Sequence, residues 1–157
     1  MVEPATAIRA IEEAGFSHVV WIPDSALGLW ESELVDSPKL QLIRPAREGE
    51  AIALAAGLMI GGGRPLVVIQ CTGLFEAGDA LRNIVHDLKL PLKLLIGVRS
   101  YHASRAGNSS DNCPLFTEPI LQAWKVPYTV PTSGEAFVQA IGELTAKIEA
   151  AAVLLPE

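Results

Sequence analysis

The stretch AREGEAIALAAGLMIGGGRPLVVIQC, from Ala46 to Cys71, decides the fold. Two glutamates, Glu48 and Glu50, open a long apolar segment that a run of glycines and a proline closes. Acids favour the start of a helix and Gly-then-Pro favours its end, so this segment is predicted to be a helix. PLVVIQC then predicts a strand that is apolar on both faces, as in a parallel sheet covered by helices. The glycines at 61–63 follow a helix and precede a strand, which is the wrong order for a dinucleotide-binding loop.

The helix behind the two glutamates is apolar on every side. Such a helix is typical of a protein interior, so we expect this one to be buried all round. Its acids then have two explanations. They stabilise the positive end of the helix dipole, worth a few tenths of a kcal/mol, or one of them is carried into a functional site.

Short β-branched runs alternate with longer helical stretches along the whole chain. This alternation predicts an α/β fold, an open and mostly parallel sheet of about six strands with helices on both faces. The predicted strands are HVVWIP, LQLIRP, PLVVIQC, LKLLIGV, PYTV and AVLL. A single domain is predicted over residues 1–157. The connection RSYHASRAGNSSDNCP, from Arg99 to Pro114, has no periodicity, and loops of that length are usually functional or mobile.

Composition excludes several classes of protein. The chain has 157 residues, half of them hydrophobic, which suits one globular domain with a single core. Its net charge of −6 and its lack of a basic stripe argue against nucleic acid. No apolar run reaches the length of a membrane span, and the acidic amphipathic start is unlike a signal peptide. Cys71 and Cys113 are too few for a disulfide framework or a metal clip, so a reduced cytoplasmic location and no metal ligands are predicted.

Chemically capable side chains collect just after the predicted strands. In open parallel sheets, ligands bind beyond the carboxyl ends of the strands. The residues placed there are Pro23, Asp24 and Ser25 after the first strand, Arg47, Glu48 and Glu50 after the second, Thr72 and Gly73 after the third, and Arg99, His102 and Arg105 after the fourth. The sequence therefore predicts a ligand site along this edge of the sheet.

Each of these residues also has a structural explanation. Asp24–Ser25 is typical of a helix cap, and Thr72–Gly73 of a plain strand-to-helix turn. His102 is typical of a solvated loop side chain. Arg99 and Arg105 are either surface charges or, with the histidine, an anion clamp.

Three stretches of the chain match the pattern of a known family. WIPDSAL is similar to Gly-Val-Pro-Asp-Ser-x-Leu, at the turn after the first strand. AREGEAIALAAGLMIGGGRPLVVIQCTGL is similar to an Asn-Glu-Gly-x-Ala-x-x-x-Ala-Ala-Gly helix followed by Gln-Asn-Ser-Gly-Leu, and LPLKLLIGVRS to a strand closed by Ile-Gly-x-Arg-Gly. Together they resemble the pyrimidine-binding (Pyr) domain of thiamine-diphosphate-dependent 2-oxo acid decarboxylases. The resemblance covers nearly the whole chain in order and spacing, and is nearest to the decarboxylases of sulfopyruvate and phosphonopyruvate.

The resemblance implies a role for Glu48 and none for Glu50. Glu48 matches the family's catalytic glutamate, which hydrogen-bonds the N1′ nitrogen of the cofactor's aminopyrimidine. The cofactor contacts that the resemblance implies are Pro23, Glu48, Thr72, Gly73 and Leu74. The substrate contacts that it implies are Ser25, Arg99, His102 and Arg105.

The chain departs from the family pattern at five positions. Arg47 and Cys71 stand where the family has Asn. Phe75 and Glu76 replace a Gly-Asn pair, and Ser100 stands where Gly is common.

The family's diphosphate-binding half, with its Gly-Asp-Gly motif, has no counterpart in this sequence. The one Gly-Asp pair, Gly78-Asp79, is followed by Ala80 inside a predicted helix. The resemblance therefore implies an α subunit that shares thiamine diphosphate and Mg²⁺ with a β subunit, which would hold the metal, in an α₂β₂ or larger assembly. The expected activity is decarboxylation of a small anionic 2-oxo acid, sulfopyruvate first and phosphonopyruvate or another 2-oxo acid as the alternative. A non-catalytic α/β assembly module is the alternative from a different class.

Overall fold

A six-stranded sheet forms the centre of the chain in the computed structural model, which describes residues 2–24 and 27–157. All paired strands run parallel, in the order β2-β1-β3-β4-β6-β5. The strands are β1 (His18–Trp21), β2 (Gln41–Ile43), β3 (Pro65–Gln70), β4 (Lys93–Val98), β5 (Tyr128–Thr129) and β6 (Ala151–Pro156). The predicted open parallel α/β sheet is confirmed.

Helices cover both faces of the sheet. They are α1 (Pro4–Glu13), α2 (Glu31–Asp36), α3 (Glu48–Ile60), α4 (Cys71–Glu76), α5 (Gly78–Arg82), α6 (Tyr101–Arg105), α7 (Cys113–Ala123) and α8 (Gly134–Ala146). A 3₁₀ turn, Leu27–Trp30, leads into α2, and a π-helical turn, Asn83–Asp87, extends α5. Helices α1, α2 and α8 pack on one face, and α3, α4, α5 and α7 on the other. No helix in the described part of the chain is both long and apolar enough to cross a membrane.

Two apolar layers hold the middle strands in place. Successive residues of β3 alternate between them, with Val68 in the layer under α1 and α8 and Val67 in the layer under α3. In the first layer, the ring of Trp30 meets the ring of Phe137 edge-on, with centroids 6.0 Å apart. Because β3 and β4 are buried on both faces, the ends of these strands form a fixed edge.

The crevice expected in such a sheet lies between β1 and β3. These two strands are neighbours, but the chain leaves β1 towards α2 on one face and leaves β3 into α4 on the other. Connections that depart to opposite faces leave a gap above the strand ends, and ligands bind in such gaps. The described residues predicted after the first three strands therefore follow strands that are neighbours in the sheet.

Helix α3 is not buried all round, so that expectation is wrong. Its buried residues are Ala51, Ile52, Ala55 and Ala56. Ala53, Gly57 and Ile60 lie on the opposite side, where Ile60 is 73% exposed. The sheet covers only one side of a helix in this position. We define Ala53, Gly57 and Ile60 as the exposed face of α3.

The long connection after β4 is more ordered than its sequence suggests, because it contains α6. Ser100 precedes that helix with a φ of 60°, in the left-handed region that favours glycine. Glycine is common at this position in the family that the sequence resembles, and this backbone conformation gives a physical reason for it.

We predict that Ser100→Gly stabilises the isolated chain. A non-glycine residue in the left-handed region costs about 1–2 kcal/mol, partly offset by the greater chain entropy of glycine, so the free energy of unfolding should rise by about 0.5–1 kcal/mol. Urea unfolding measures this change. Ser104→Gly, inside α6, is the control and should lower the stability instead. Destabilisation by both variants would contradict the prediction.

Candidate active site

Glu48 lies directly on the backbone of Gly73 at the mouth of the crevice. A Cβ atom built on Gly73 would stand 2.5 Å from Cγ of Glu48 and 2.6 Å from its Oε1. Glu48 is the first residue of α3, and Gly73 lies in the first turn of α4. Within the part of the chain that the structure describes, no hydrogen bond or ion pair engages the carboxylate of Glu48. A partly buried carboxylate without such a partner therefore lies against the backbone of Gly73 at this edge.

Glu50 has a different environment from Glu48. Its Oε2 accepts a hydrogen bond from the backbone N–H of Ala46 at 2.8 Å, which ties the chain entering α3 back to the first helical turn. Glu50 is exposed and points away from the packed side of the helix. The capping explanation that both glutamates admitted thus describes Glu50.

Glu76 occupies the start of α3 from the neighbouring helix α4. Its Oε2 accepts from the N–H of Gly49 at 2.7 Å, and its Oε1 pairs with Arg47 at 2.6 Å. The N–H groups of a first helical turn have no partner within the helix, and Glu76 satisfies one of them. Sequence reasoning treated Glu76 only as a departure from a family pattern. Its partners lie more than twenty residues away, so no local signal reveals this role.

The other predicted cofactor contacts flank the same crevice. Pro23 is exposed just after β1, and Thr72, Gly73 and Leu74 lie in the first turn of α4, after β3. Thr72 is exposed, whereas Leu74 is fully buried beneath it. Ser25, the predicted substrate contact after β1, lies outside the described residues.

Both arginines of the predicted anion clamp bind carboxylates of the chain itself. Nε of Arg99 lies 3.4 Å from Oδ2 of Asp111, and Arg105 is hydrogen-bonded to Glu118. The two arginine side chains nevertheless remain 62% and 60% exposed. A substrate anion would therefore compete with Asp111 and Glu118 for these guanidinium groups.

Glu118, in α7, organises the connection that carries these arginines. It accepts hydrogen bonds from the hydroxyls of Tyr101, at 3.0 Å, and Tyr128, at 2.8 Å, as well as from Arg105. Burial alone would raise the pKa of Glu118, but these hydrogen bonds hold the pKa below its usual range. His102 is exposed beside this cluster, with its ring edge-on to Tyr101 at 5.4 Å. The mid-helix position of Glu118 gave no sign of this role.

Glu157, directly after β6, is a second acid that the sequence analysis missed. Both of its carboxylate oxygens are buried without a hydrogen-bond partner in the described structure. Burial raises the pKa of Glu157 to about 7; the neighbouring charge of Asp24 adds to the rise and Arg99 opposes it. The strand-end rule could have found this residue, since it follows the predicted strand AVLL.

The residues at the crevice fit a planar nitrogen heterocycle better than a metal ion. Among residues 2–24 and 27–157, no group of three or more His, Cys, Asp or Glu side chains could hold a metal. Glu48 instead offers a carboxylate free to bond one ring nitrogen, and Gly73 has no side chain, so that carboxylate can rest against the backbone at the strand ends. A pyrimidine ring offers such a nitrogen.

Comparison of sequences finds relatives over most of the chain. It is 27% identical over 146 residues to sulfopyruvate decarboxylase subunit alpha from Methanococcus maripaludis, which covers 90% of this chain and 86% of the relative. It is also 28% identical over 91 residues to phosphonopyruvate decarboxylase from Streptomyces viridochromogenes, covering 58% of this chain and 23% of the relative. No family model matches the sequence.

Solved structures share the fold from end to end. Benzoylformate decarboxylase from Polynucleobacter necessarius superposes on 99% of the chain with a TM-score of 0.78 at 17% identity. A thiamine diphosphate-dependent 4-hydroxybenzoylformate decarboxylase from Rhodococcus jostii gives a TM-score of 0.70 at 19% identity. The chain has the fold of the thiamine-diphosphate-dependent decarboxylases. The family resemblance stated from the sequence is confirmed.

The chain is shorter than the enzymes whose fold it shares. It spans 30% of the length of each of the two benzoylformate-type decarboxylase chains. It spans 49% of a chain of a split-gene transketolase, which superposes with a TM-score of 0.73 at 15% identity. Against the sulfopyruvate decarboxylase subunit, by contrast, it covers most of the relative's length.

The contact between Glu48 and Gly73 predicts coupling between the two positions. A methyl group at 73 must displace the glutamate side chain, so Gly73→Ala should cost about 1–2 kcal/mol of that contact energy. In a Glu48→Ala background the cost should fall by at least about 0.5 kcal/mol, because the displaced atoms are gone. A double-mutant cycle of urea unfolding measures the difference, and the helix-propensity gain of alanine cancels within it. Equal effects of Gly73→Ala in both backgrounds would contradict the contact.

Proposed function

We propose that the chain is the α subunit of a split thiamine-diphosphate-dependent decarboxylase that converts sulfopyruvate to sulfoacetaldehyde and carbon dioxide. The observation that carries the proposal is the free carboxylate of Glu48, seated on Gly73 in the crevice between β1 and β3. The similarity to sulfopyruvate decarboxylase subunit alpha along nine-tenths of the chain supports the choice of reaction.

The protein's part in the reaction is to hold the cofactor and to manage one proton. Thiamine diphosphate supplies the carbon that adds to the substrate's keto group and accepts the electron pair released as carbon dioxide leaves. Glu48 would bond a ring nitrogen of the pyrimidine and exchange a proton with that atom. Gly73 would leave space for the side chain of Glu48, while Pro23, Thr72 and Leu74 would flank the ring.

The connection after β4 would supply the cationic partners of the anionic substrate. Arg99 and Arg105 carry planar donors that suit a sulfonate or a carboxylate, and substrate binding would exchange Asp111 and Glu118 for the substrate. Ser25 and His102 are the other proposed substrate contacts. Phosphonopyruvate is the alternative substrate, supported by the similarity to phosphonopyruvate decarboxylase over part of the chain.

A partner subunit would complete the site. The exposed face of α3 lies on the opposite side of that helix from Glu48, and its apolar residues suit contact with another protein. The name of the relative, subunit alpha, and the split-gene transketolase support a two-chain enzyme. We propose that a β subunit with the diphosphate-binding domain holds the diphosphate and Mg²⁺, in a cytoplasmic α₂β₂ or larger assembly.

Glu48→Gln tests the catalytic assignment. The chain is produced with a candidate β subunit carrying Gly-Asp-Gly, and carbon dioxide release is followed with sulfopyruvate, phosphonopyruvate and pyruvate. An amide cannot exchange the proton, so kcat should fall by about 10²–10⁴-fold with the preferred substrate.

Glu50→Gln is the matched control, because it alters an equivalent acid two residues away. It should keep most of the activity and lower stability by only about 0.3–1 kcal/mol, because the amide oxygen still accepts the hydrogen bond while the charge at the helix start is lost. Unchanged turnover in Glu48→Gln would sink the assignment of Glu48. A stable complex with no cofactor-dependent carbon dioxide release from any 2-oxo acid would instead indicate a non-catalytic assembly module.

Gly57→Ala tests the proposed docking face. A Cβ at Gly57 meets open space in the single chain, so the helix should gain about 0.5–1 kcal/mol in stability. Against a closely packed partner, the added methyl group should weaken association at least about fivefold, which corresponds to about 1 kcal/mol. Sedimentation or titration of the purified α and β subunits measures the association.

Gly142→Ala, in α8, provides the comparison for Gly57→Ala. It also meets open space and should stabilise the chain by a similar amount without affecting association. Equal affinities of the two variants for the β subunit would exclude the exposed face of α3 from the interface.

A further inference from the structure

The backbone fixes Glu157 at the carboxyl end of the central strands. Its N–H donates to the carbonyl of Val98, and its own carbonyl accepts from the N–H of Tyr101, each at 3.1 Å. The side chain turns back over β4, and its Oε1 lies 2.7 Å from the point where a Cβ of Gly97 would stand. The missing side chain at position 97 therefore provides the space that the carboxyl group occupies.

The surroundings of this carboxyl group disfavour its negative charge. Both oxygens are buried, and no donor in the described structure reaches them. A buried carboxylate without donors is costly, so the protonated form is favoured. The charged groups that act on it are Asp24, after β1, and Arg99, after β4, and Arg99 is itself paired with Asp111. The like charge of Asp24 reinforces the preference for the neutral acid, and Arg99 opposes it.

Glu157 also adjoins the connection that follows β1. A methyl carbon of Leu27 lies 3.4 Å from the same point above Gly97 that the carboxyl group of Glu157 approaches. Leu27 is fully buried, and its N–H donates to Oδ1 of Asp24 at 2.8 Å. Glu157 and Leu27 thus both lie over Gly97 in β4, and Leu27 is hydrogen-bonded to Asp24, whose charge acts on Glu157.

We infer that Glu157 is a positioning residue: as a neutral acid it holds Asp24 and Leu27 against the end of β4, and as an anion it repels Asp24 and loosens them. Pro23 directly precedes Asp24 in this connection. The link to catalysis rests on the proposed function, in which Pro23 contacts the cofactor.

The direction of the pH dependence follows from the two forms. The pKa of Glu157 is raised from 4.5 to about 7 in the closed structure. The closed form therefore has no penalty below about pH 4.5, a penalty that grows as pH rises towards 7, and a constant penalty above that. If opening restores the ordinary pKa, the equilibrium constant for local opening rises about tenfold between pH 6 and pH 8.

Hydrogen exchange at the amide of Leu27 tests this inference in the isolated chain. NMR measures its protection at pH 6 and pH 8, with the intrinsic exchange rate of each pH divided out. Protection should fall about tenfold in the natural sequence and should not change in Glu157→Gln, which keeps the shape but cannot ionise. Glu13→Gln removes a carboxylate from an exposed position of α1 and should keep the full pH dependence.

Two results would overturn the inference. One is a pH-independent protection in the natural sequence, and the other is the same pH dependence in Glu157→Gln. Should Glu157→Gln fail to fold, the carboxyl ¹³C shift of Glu157 in the natural sequence decides the question. A midpoint near 4.5 rules the inference out, and one near 7 supports it.

Cofactor binding by the reconstituted enzyme tests whether Glu157 affects the proposed site. Affinity for thiamine diphosphate should decline as the pH rises from 6 to 8 with the natural α subunit and stay level with Glu157→Gln. Equal decline in both would show that Glu157 does not position the cofactor contacts. A complex without any decarboxylase activity would count against the proposed function alone, because the exchange experiment does not depend on activity.

Discussion

The contact between the side chain of Glu48 and the bare backbone of Gly73 is the constraint on which the edge of this protein is built. The contact requires that α3, which follows β2, and α4, which follows β3, begin at the same level beyond the ends of the strands. The parallel register of β1 with both strands fixes that height. A larger residue at 73 would separate the two helix starts, so the glycine is needed for close approach of a side chain.

Three glutamates lie at the start of α3. Two of them accept hydrogen bonds from the donors there, which explains why the third has no partner in the described structure. Glu50 binds the chain that enters the helix, and Glu76 binds both an amide of the first turn and Arg47. With those donors taken, Glu48 keeps its acceptor capacity for something outside the chain. The positive end of the helix favours all three charges together, which lowers the cost of gathering acids around a ligand site.

Hydrophobic period and strand-end placement were enough to predict the parallel sheet, its two covered faces and the edge where Glu48 and Gly73 meet. They failed where the answer depends on distant partners. The apolar pattern of α3 does not indicate which elements pack against each side of the helix. It therefore could not show that Ala53, Gly57 and Ile60 are exposed. The pairing of Arg99 and Arg105 with Asp111 and Glu118 depends on how α6 and α7 pack, which no local pattern encodes.

The exposed face of α3 affects how the chain folds and whether it stays monomeric. Parallel strands such as β4 and β6 pair only after long stretches between them are complete, so folding is slow and apolar surface stays uncovered during it. After folding, Ile60 and its neighbours still present an apolar side to water. A chain of this kind is prone to self-association at high concentration, because two copies can cover each other's exposed apolar side.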